Sequence, residues 1–347
     1  MSSHSISIPT NDDLGLGDAQ RAAMSDGDLV GRVVAEAKGE YRVWADGNEY
    51  AAECVGRLLG RAAGRGELPA VGDWVTLEAT DHQRARVRSL LPRTTKFSRR
   101  AAGQHVVEQV VAANVDVVFI TVGLDGDFNL RRIERYLAVA WESGATPVVL
   151  LTKCDLVQDL AARVDEARSV AGRAEVIATS ARAGIGLERL REILGPRVTV
   201  AFMGSSGVGK STVANALLDR EAQRTSEVRE HDQRGKHTTT HRELFVLPTG
   251  ALLIDTPGMR ELQLWDVSHG LDAAFDDVTA LAETCRFRDC GHGAEPGCAV
   301  RASLEAGELD RERFASWKKL SDEASRAREA LRARARQGGR SKGARGR

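Results

Sequence analysis

The chain has 347 residues with 49 basic and 49 acidic side chains, so its net charge of zero points to no polyanionic or polycationic partner. A chain of this length has room for two or three domains. It has no apolar run of the ~20 residues needed to span a bilayer, and no charged n-region followed by an apolar h-region at its start. A soluble, cytoplasmic protein with no membrane contact is therefore expected, and we expect a monomer. Of five cysteines, Cys54 and Cys154 stand alone in apolar surroundings and three cluster late in the chain. That usage fits a reducing compartment and one metal site better than a disulfide framework.

Residues 1–27 are rich in Ser, Asn, Asp and Gly without periodicity and read as a disordered N-terminal segment. Residues 28–92 read as all-β. The predicted strands are Leu29–Val34, Tyr41–Trp44, Glu49–Ala52, Val71–Leu77 and Arg84–Val87, with Asp46-Gly47 as a hairpin signal. Five short strands suit a small barrel of the oligonucleotide-binding (OB) type, and an SH3-like barrel would read nearly the same. The Gly/Arg-rich stretch from Gly60 to Gly66 reads as a loop. Arg57, Arg61, Arg65, Arg84, Arg86 and Arg88 could track a phosphate backbone or simply solubilise the surface. Residues 93–105, with Arg93, Lys96, Arg99 and Arg100, read as a basic linker.

From residue 106 strands alternate with helices, the pattern of a doubly wound, mostly parallel sheet. The strands are Val115–Val122, Pro147–Leu151, Glu175–Ala178, Arg197–Met203, Leu244–Leu247 and Ala251–Ile254. Asn129 caps a helix with Leu130, Ile133, Leu137 and Trp141 on one face. A second helix carries Leu156, Leu160 and Val164. In such sheets ligands gather at the carboxyl ends of the strands.

Gly204-Ser205-Ser206-Gly207-Val208-Gly209-Lys210-Ser211 has the form G-x-x-x-x-G-K-S, after a strand and before a helix that opens at Thr212. That context is the one a phosphate-binding P-loop needs. Its glycines let successive N–H groups point at phosphates, beside the positive end of the helix dipole. Lys210 would reach the β- and γ-phosphates, and the Ser211 hydroxyl would ligate Mg²⁺. Three other strand ends carry motifs. Thr152-Lys153-Cys154-Asp155 resembles the guanine-reading N-K-x-D element of GTPases, with Thr152 where Asn is usual. Asp155 would accept two hydrogen bonds from guanine and Lys153 would lie over the base. Ser180-Ala181 resembles the short element whose backbone meets the guanine oxygen. Asp255-Thr256-Pro257-Gly258 resembles D-x-x-G, with Asp255 near Mg²⁺ and the Gly258 N–H near the γ-phosphate. Together these favour GTP over ATP. The base-reading motifs precede the P-loop, so the domain is a circular permutation of the usual GTPase order.

Between P-loop and Asp255, the polar stretch Arg229–His241 sits where a first switch loop belongs; one of Thr238–Thr240, taken as Thr239, would bind Mg²⁺ and the γ-phosphate. Met259 stands where many GTPases place a water-orienting Gln. A thioether cannot orient water, so slow intrinsic hydrolysis is expected unless another group assists. His237 is the nearest chemically able candidate. Cys285-x4-Cys290-x-His292-x5-Cys298 supplies three thiolates and one imidazole, a closed tetrahedral set for one structural zinc ion per chain. The loop between them is polar and has little core of its own, so it needs a metal. Helical stretches follow, from Leu304 and from Arg313 to Arg336. Residues 326–347, with nine Lys/Arg against one Glu, form a basic tail.

The combination of barrel, permuted motif order, H-T-T-T stretch, D-T-P-G and Cys₃His spacing resembles the ribosome small-subunit-dependent GTPase A family (RsgA, also called YjeQ) over about residues 28–325. Asn114-Val115-Asp116, Asp125, Phe128-Asn129 and Arg135-Tyr136-Leu137 are also similar to that family. The resemblance implies an OB-fold domain (28–92), a circularly permuted GTPase domain (93–265) and a zinc-binding domain (266–325). It implies late maturation of the small (30S) ribosomal subunit, contact with rRNA, and GTP hydrolysis to GDP stimulated by that subunit. An apolar residue in place of the catalytic Gln is itself a feature of the family. Two other readings compete: a GTP switch for a partner outside translation, and an RNA-binding module with a vestigial nucleotide site.

Overall fold

The structure, a computed structural model, describes residues 8–37, 39–61, 65–100, 108–218, 242–256, 259 and 268–343. Five strands build the N-terminal barrel: β1 (Leu29–Ala37), β2 (Glu40–Ala45), β3 (Asn48–Cys54), β4 (Trp74–Ala79) and β5 (Arg84–Leu90). They pair in the order β1-β2-β3-β5-β4, and β4 returns to β1 to close the ring. β3 and β5 run parallel. This is the OB-type arrangement, and it settles the choice against the SH3-like alternative. Alternate residues of β2 and β5 point inward, so Tyr41, Val43, Ala85 and Val87 fill the barrel. Asp46 and Gly47 both take positive φ, as a two-residue hairpin turn requires. A short helix, α2 (Gly56–Arg61), and a 3₁₀ turn (Arg65–Glu67) lie between β3 and β4, where only a loop was expected.

The N-terminal segment departs from the expectation of disorder. Residues 8–27 make turns and a short helix, α1 (Asp18–Ala22), and Leu14 is fully buried. The Gln20 amide donates to the Pro92 carbonyl at 2.7 Å. The guanidinium of Arg32, fully buried on β1, donates to the carbonyls of Leu14 (2.5 Å), Gly72 (3.2 Å) and Asn114 (3.0 Å). Burial lowers its pKa to about 10, and the carboxylates of Asp116 and Asp73 oppose that shift. Arg32 thus ties the N-terminal segment, the barrel and the next domain together.

The basic linker is also structured where it is described. Arg93 donates to both carboxylate oxygens of fully buried Asp73 (2.7 and 2.6 Å) and to the carbonyls of Gly66 and Leu68. Strand β6 (Lys96–Arg100) pairs antiparallel with β7 (Glu108–Ala113), and Lys96 bonds Glu108 at 2.9 Å. Arg93 and Lys96 therefore both make internal contacts. Residues 101–107 lie outside the described residues.

The second sheet has the order β10-β9-β8-β11-β13-β12, from β8 (Val117–Gly123), β9 (Thr146–Thr152), β10 (Glu175–Ala178), β11 (Thr199–Met203), β12 (Arg242–Val246) and β13 (Leu252–Asp255). All pairs are parallel except β12–β13. Helices α3 (Leu130–Ser143), α4 (Leu160–Ala171), α5 (Leu187–Ile193) and α6 (Lys210–Leu217) connect the strands. The Asn129 side chain caps α3 by accepting the Arg132 N–H at 3.0 Å, as expected. Leu156 does not share the face of α4; it lies in a 3₁₀ turn (Cys154–Leu156) and is 65% exposed, and Asp159 caps the helix after it. The barrel continues this sheet, because β1 pairs with β12 at Ala35–Glu243 and Glu36–Arg242. Ion pairs Arg242–Glu36 (2.8 Å) and Arg42–Glu243 flank the seam.

The C-terminal part is helical: α7 (Ser268–Ala274), α8 (Asp276–Glu283), α9 (Ala299–Ala306) and α10 (Arg311–Gly343). α7 lies against α3 so closely that a Cβ on Gly270 would sit 2.0 Å from the Ala138 carbonyl oxygen. The fully buried Glu134 of α3 accepts from Arg131 (2.9 Å), Arg313 (3.1 Å) and Ser316 (2.5 Å), and Arg313 also pairs with Asp277. Removing one member of such a network leaves a buried charge uncompensated, at about 3–5 kcal/mol. Helix α10 continues past Arg336, so the basic stretch from 326 to 343 extends a helix.

Candidate nucleotide site and metal centre

β8 and β11 are neighbours, and the chain leaves them in opposite directions across the sheet, to β9 and β10 on one side and β13 and β12 on the other. That is the switch point at which a doubly wound sheet opens a crevice. Gly204–Gly209 turns there, between β11 and α6. Gly204 has φ 142°, and a Cβ on it would lie 2.2 Å from the Thr121 carbonyl oxygen at the end of β8. Only glycine fits. Gly207 and Gly209 also take positive φ, and Gly209 caps α6, so Lys210, Ser211 and Thr212 form its first turn. Ser206, Gly207, Ser211 and Thr212 are exposed, while Val208 is buried and anchors the loop. Lys210 Nζ donates to the carbonyls of Gly204 (2.7 Å) and Ser205.

The ends of β9 and β10 bring the guanine-reading candidates to the same crevice. The Thr152 hydroxyl, 2% exposed, donates to the Val208 carbonyl. The residue that stands where Asn is usual therefore ties the end of β9 to the Gly204–Gly209 loop. Lys153 takes φ 59°, and its ammonium bonds the Gly207 carbonyl at 2.8 Å and the Asp125 carboxylate. That bond from Lys153 holds the Asp125 carboxyl below its ordinary range. Cys154 is buried, and its N–H bonds the Thr179 carbonyl at 3.2 Å, which joins the two motifs. Asp155 is exposed at the crevice. Ser180 exchanges backbone bonds with Ile185 at 3.0 Å each, its hydroxyl accepts from the Ala183 N–H at 3.2 Å, and Ala181 follows, half-buried.

Asp255 ends β13, exposed, beside β11. The next residue, Thr256, is buried, and its hydroxyl has no partner among the described residues. Met259 is 1% exposed and packs into the core, so its thioether does not face water. His237, Thr238–Thr240 and Gly258 lie outside the described residues.

Two side chains that the sequence reading did not single out, Asp127 and Arg132, and Asp125, named there only for its likeness to the family, bond residues at the crevice. Arg132 Nη1 donates to the Ser205 hydroxyl at 3.0 Å and to the Asp127 carboxylate. Sequence offered one signal, the Asn129 cap, which places Arg132 in the first turn of α3.

At the other end of the chain, Cys285, Cys290, His292 and Cys298 turn their ligand atoms to within 4.8 Å of one another. Sγ of Cys285 and of Cys298 each lie 3.6 Å from His292 Nδ1, and 3.9 Å from each other. Bonds of about 2.3 Å to sulfur and about 2.0 Å to nitrogen around one tetrahedral zinc give edges close to these. Burial opposes ionisation of Cys285, but backbone N–H groups of Val300 and Ala299 at the start of α9 and the neighbouring thiols lower its pKa. The His292 backbone favours the Cys290 thiolate, but burial and the Cys298 and Cys285 thiols push it up to about 11. Three crowded thiols resist joint ionisation, and a dication removes that resistance. Burial lowers the pKa of His292, which favours the neutral form that a ligand needs. The residues fit a zinc ion.

Comparison with known proteins agrees with this geometry. The family model described as RsgA GTPase matches residues 90–265. A relative from Opitutus terrae, described as small ribosomal subunit biogenesis GTPase RsgA, is 50% identical over 305 residues, covering 85% of this chain and 83% of the relative. One of the same description from Methanosarcina acetivorans is 48% identical, covering 75% and 71%. Among solved structures, YjeQ from Thermotoga maritima superposes with a TM-score of 0.65 at 24% identity, over 86% of this chain and 98% of that one. YloQ, described as a circularly permuted GTPase, gives 0.62 at 23% identity, over 86% and 96%. At these identities the two structures bear on the fold alone.

Proposed function

The chain belongs to the RsgA GTPase family, and from that premise we propose that it is a GTP-hydrolysing assembly factor acting late on the small ribosomal subunit. Its relatives are described as small ribosomal subunit biogenesis GTPases, and the coverage of those relatives supports carrying that role to this chain. The observation that carries the nucleotide part is the convergence of four motifs at one end of the parallel strands, with Thr152 and Lys153 bonded to the P-loop.

In this reading residues 204–212 hold the phosphates through backbone N–H groups, and Lys210 reaches the β- and γ-phosphates. Asp155 accepts from guanine, with Lys153 over the base and Ser180-Ala181 at the guanine oxygen. Ser211, Thr239 and Asp255 would hold Mg²⁺, which supplies charge neutralisation at the phosphates when bound. The Gly258 N–H would meet the γ-phosphate, and His237 would assist the attacking water, a role the buried Met259 thioether cannot take. The OB-fold domain (28–92) and the zinc-binding domain (266–325) grip rRNA, and the basic residues of 326–347 add phosphate contacts. The GTPase domain spans 93–265. The protein acts as a cytoplasmic monomer.

GTP orders the stretch at Thr238–Thr240 and the segment at Asp255–Gly258, and so fixes the barrel and the zinc domain in a gripping arrangement; hydrolysis releases both. A non-hydrolysable GTP analogue should therefore bind the protein more tightly to purified small subunits than GDP does. Equal affinity in the two nucleotide states would remove the switch from this reading.

A further inference from the structure

We infer that Arg132 is a positioning residue for the P-loop, acting through the Ser205 hydroxyl. The inference rests on residues 204–211 being the GTP site. The Arg132 guanidinium is about one-third exposed, and its Nη1 donates to the Asp127 carboxylate, to the Asp127 carbonyl at 3.4 Å and to Ser205 Oγ at 3.0 Å. Asp127 aims the guanidinium, and the guanidinium holds Ser205. The Ser205 carbonyl in turn accepts from the Lys210 ammonium. One loop residue is thus held at its side chain by one cation and at its backbone by another.

Positioning requires a rigid support. Arg132 has one, because its own N–H is bonded by the Asn129 cap and its helix is fastened to α10. Arg131 bonds Glu312 at 2.9 Å, Glu134 receives Arg313 and Ser316, and Arg135 grips Glu323 with two bonds of 2.9 and 2.7 Å. Successive residues of α3 therefore face the phosphate loop on one side and the C-terminal helix on the other.

A loop that cradles phosphates common to substrate, transition state and product contributes uniform binding, and its loss raises KM without lowering kcat. A hydrogen bond to a charged group accounts for roughly tenfold in affinity. In the full-length protein, Arg132→Gln should raise the KM for GTP and the Kd for GDP by about tenfold each, with kcat changed less than about twofold. Ser205→Ala should give the same rise, and the double variant should be no worse than either single one. Arg132→Lys should recover part of the loss. A residue that only stabilises the fold would lower the melting temperature and apparent kcat and leave KM in place. An unmoved KM in both Arg132→Gln and Ser205→Ala, or full additivity between them, overturns the role of Arg132. Ser205→Ala keeps the test open if Arg132→Gln does not fold. Wild-type protein that binds neither GTP nor GDP would instead overturn the site assignment on which the inference stands.

Discussion

Thr152 is the residue at which this site departs from the usual guanine-reading motif, and its hydroxyl bonds the carbonyl of Val208 in the phosphate loop. The carbonyl is enclosed, since Val208 is 1% exposed. Thr152→Val keeps the shape of the side chain and removes that donor, leaving a buried acceptor with a cost of about 1–3 kcal/mol. GTP and GDP should both bind more weakly, by similar factors, because both rest on the same loop; Thr152→Asn, which restores a donor, should recover most of the loss. Nucleotide titration of the two variants checks this, and wild-type affinity in Thr152→Val would contradict it. The identity of Thr152 was legible in the sequence, but its partner was not. Spacing places a residue at a strand end and leaves open which carbonyl its hydroxyl meets. The same holds for Arg32. A lone arginine in an apolar strand gives no sign that its three carbonyl partners come from segments around residues 14, 72 and 114.

Among the elements, the loop that carries the Cys₃His set should depend most on a metal. Residues 285–298 join α8 to α9, and Cys298 both belongs to the ligand set and caps α9, its Sγ accepting the Arg301 N–H at 3.4 Å. His292 holds a left-handed backbone and stacks edge-on against Trp317 of α10, ring centroids 5.5 Å apart. Metal analysis should find one zinc per chain. Stripping it with a chelator should release α9 and lower the melting temperature, while GTP affinity changes little, since the P-loop lies on other elements. A metal-free preparation that melts like the untreated protein would contradict the assignment. Elements were legible wherever one period dominated: the β-branched runs of β8, β9 and β11, the alternation in β5, the apolar face of α3. They were not legible where burial comes from a distant surface. Leu14 and Leu16 stand in a polar stretch without a period, yet Leu14 is fully enclosed and Leu16 packs against the same core. Arg86, read as a possible phosphate contact, lies in register with Glu53 on one neighbouring strand and Glu78 on the other.

At the scale of the molecule, the permuted order has a mechanical consequence. Among the described residues, the next helix after β13, with Asp255 at its end, is α7, which packs on α3. β12, the antiparallel strand beside β13, pairs with β1 of the barrel, flanked by Arg242–Glu36 and Arg42–Glu243. Both flanking domains are therefore joined to strands that adjoin the segments expected to sense the γ-phosphate. A buried Met259 leaves the water-orienting role to a group other than residue 259. The enzyme should therefore be slow by itself and fast on its partner. The measurement that tests this most directly is GTP turnover by the purified protein, alone and with purified small ribosomal subunits, with ATP and large subunits as controls. Slow turnover alone, strong stimulation by small subunits and none with ATP or large subunits is the predicted result. Turnover that small subunits leave unchanged would contradict the ribosomal role, while leaving the nucleotide site in place.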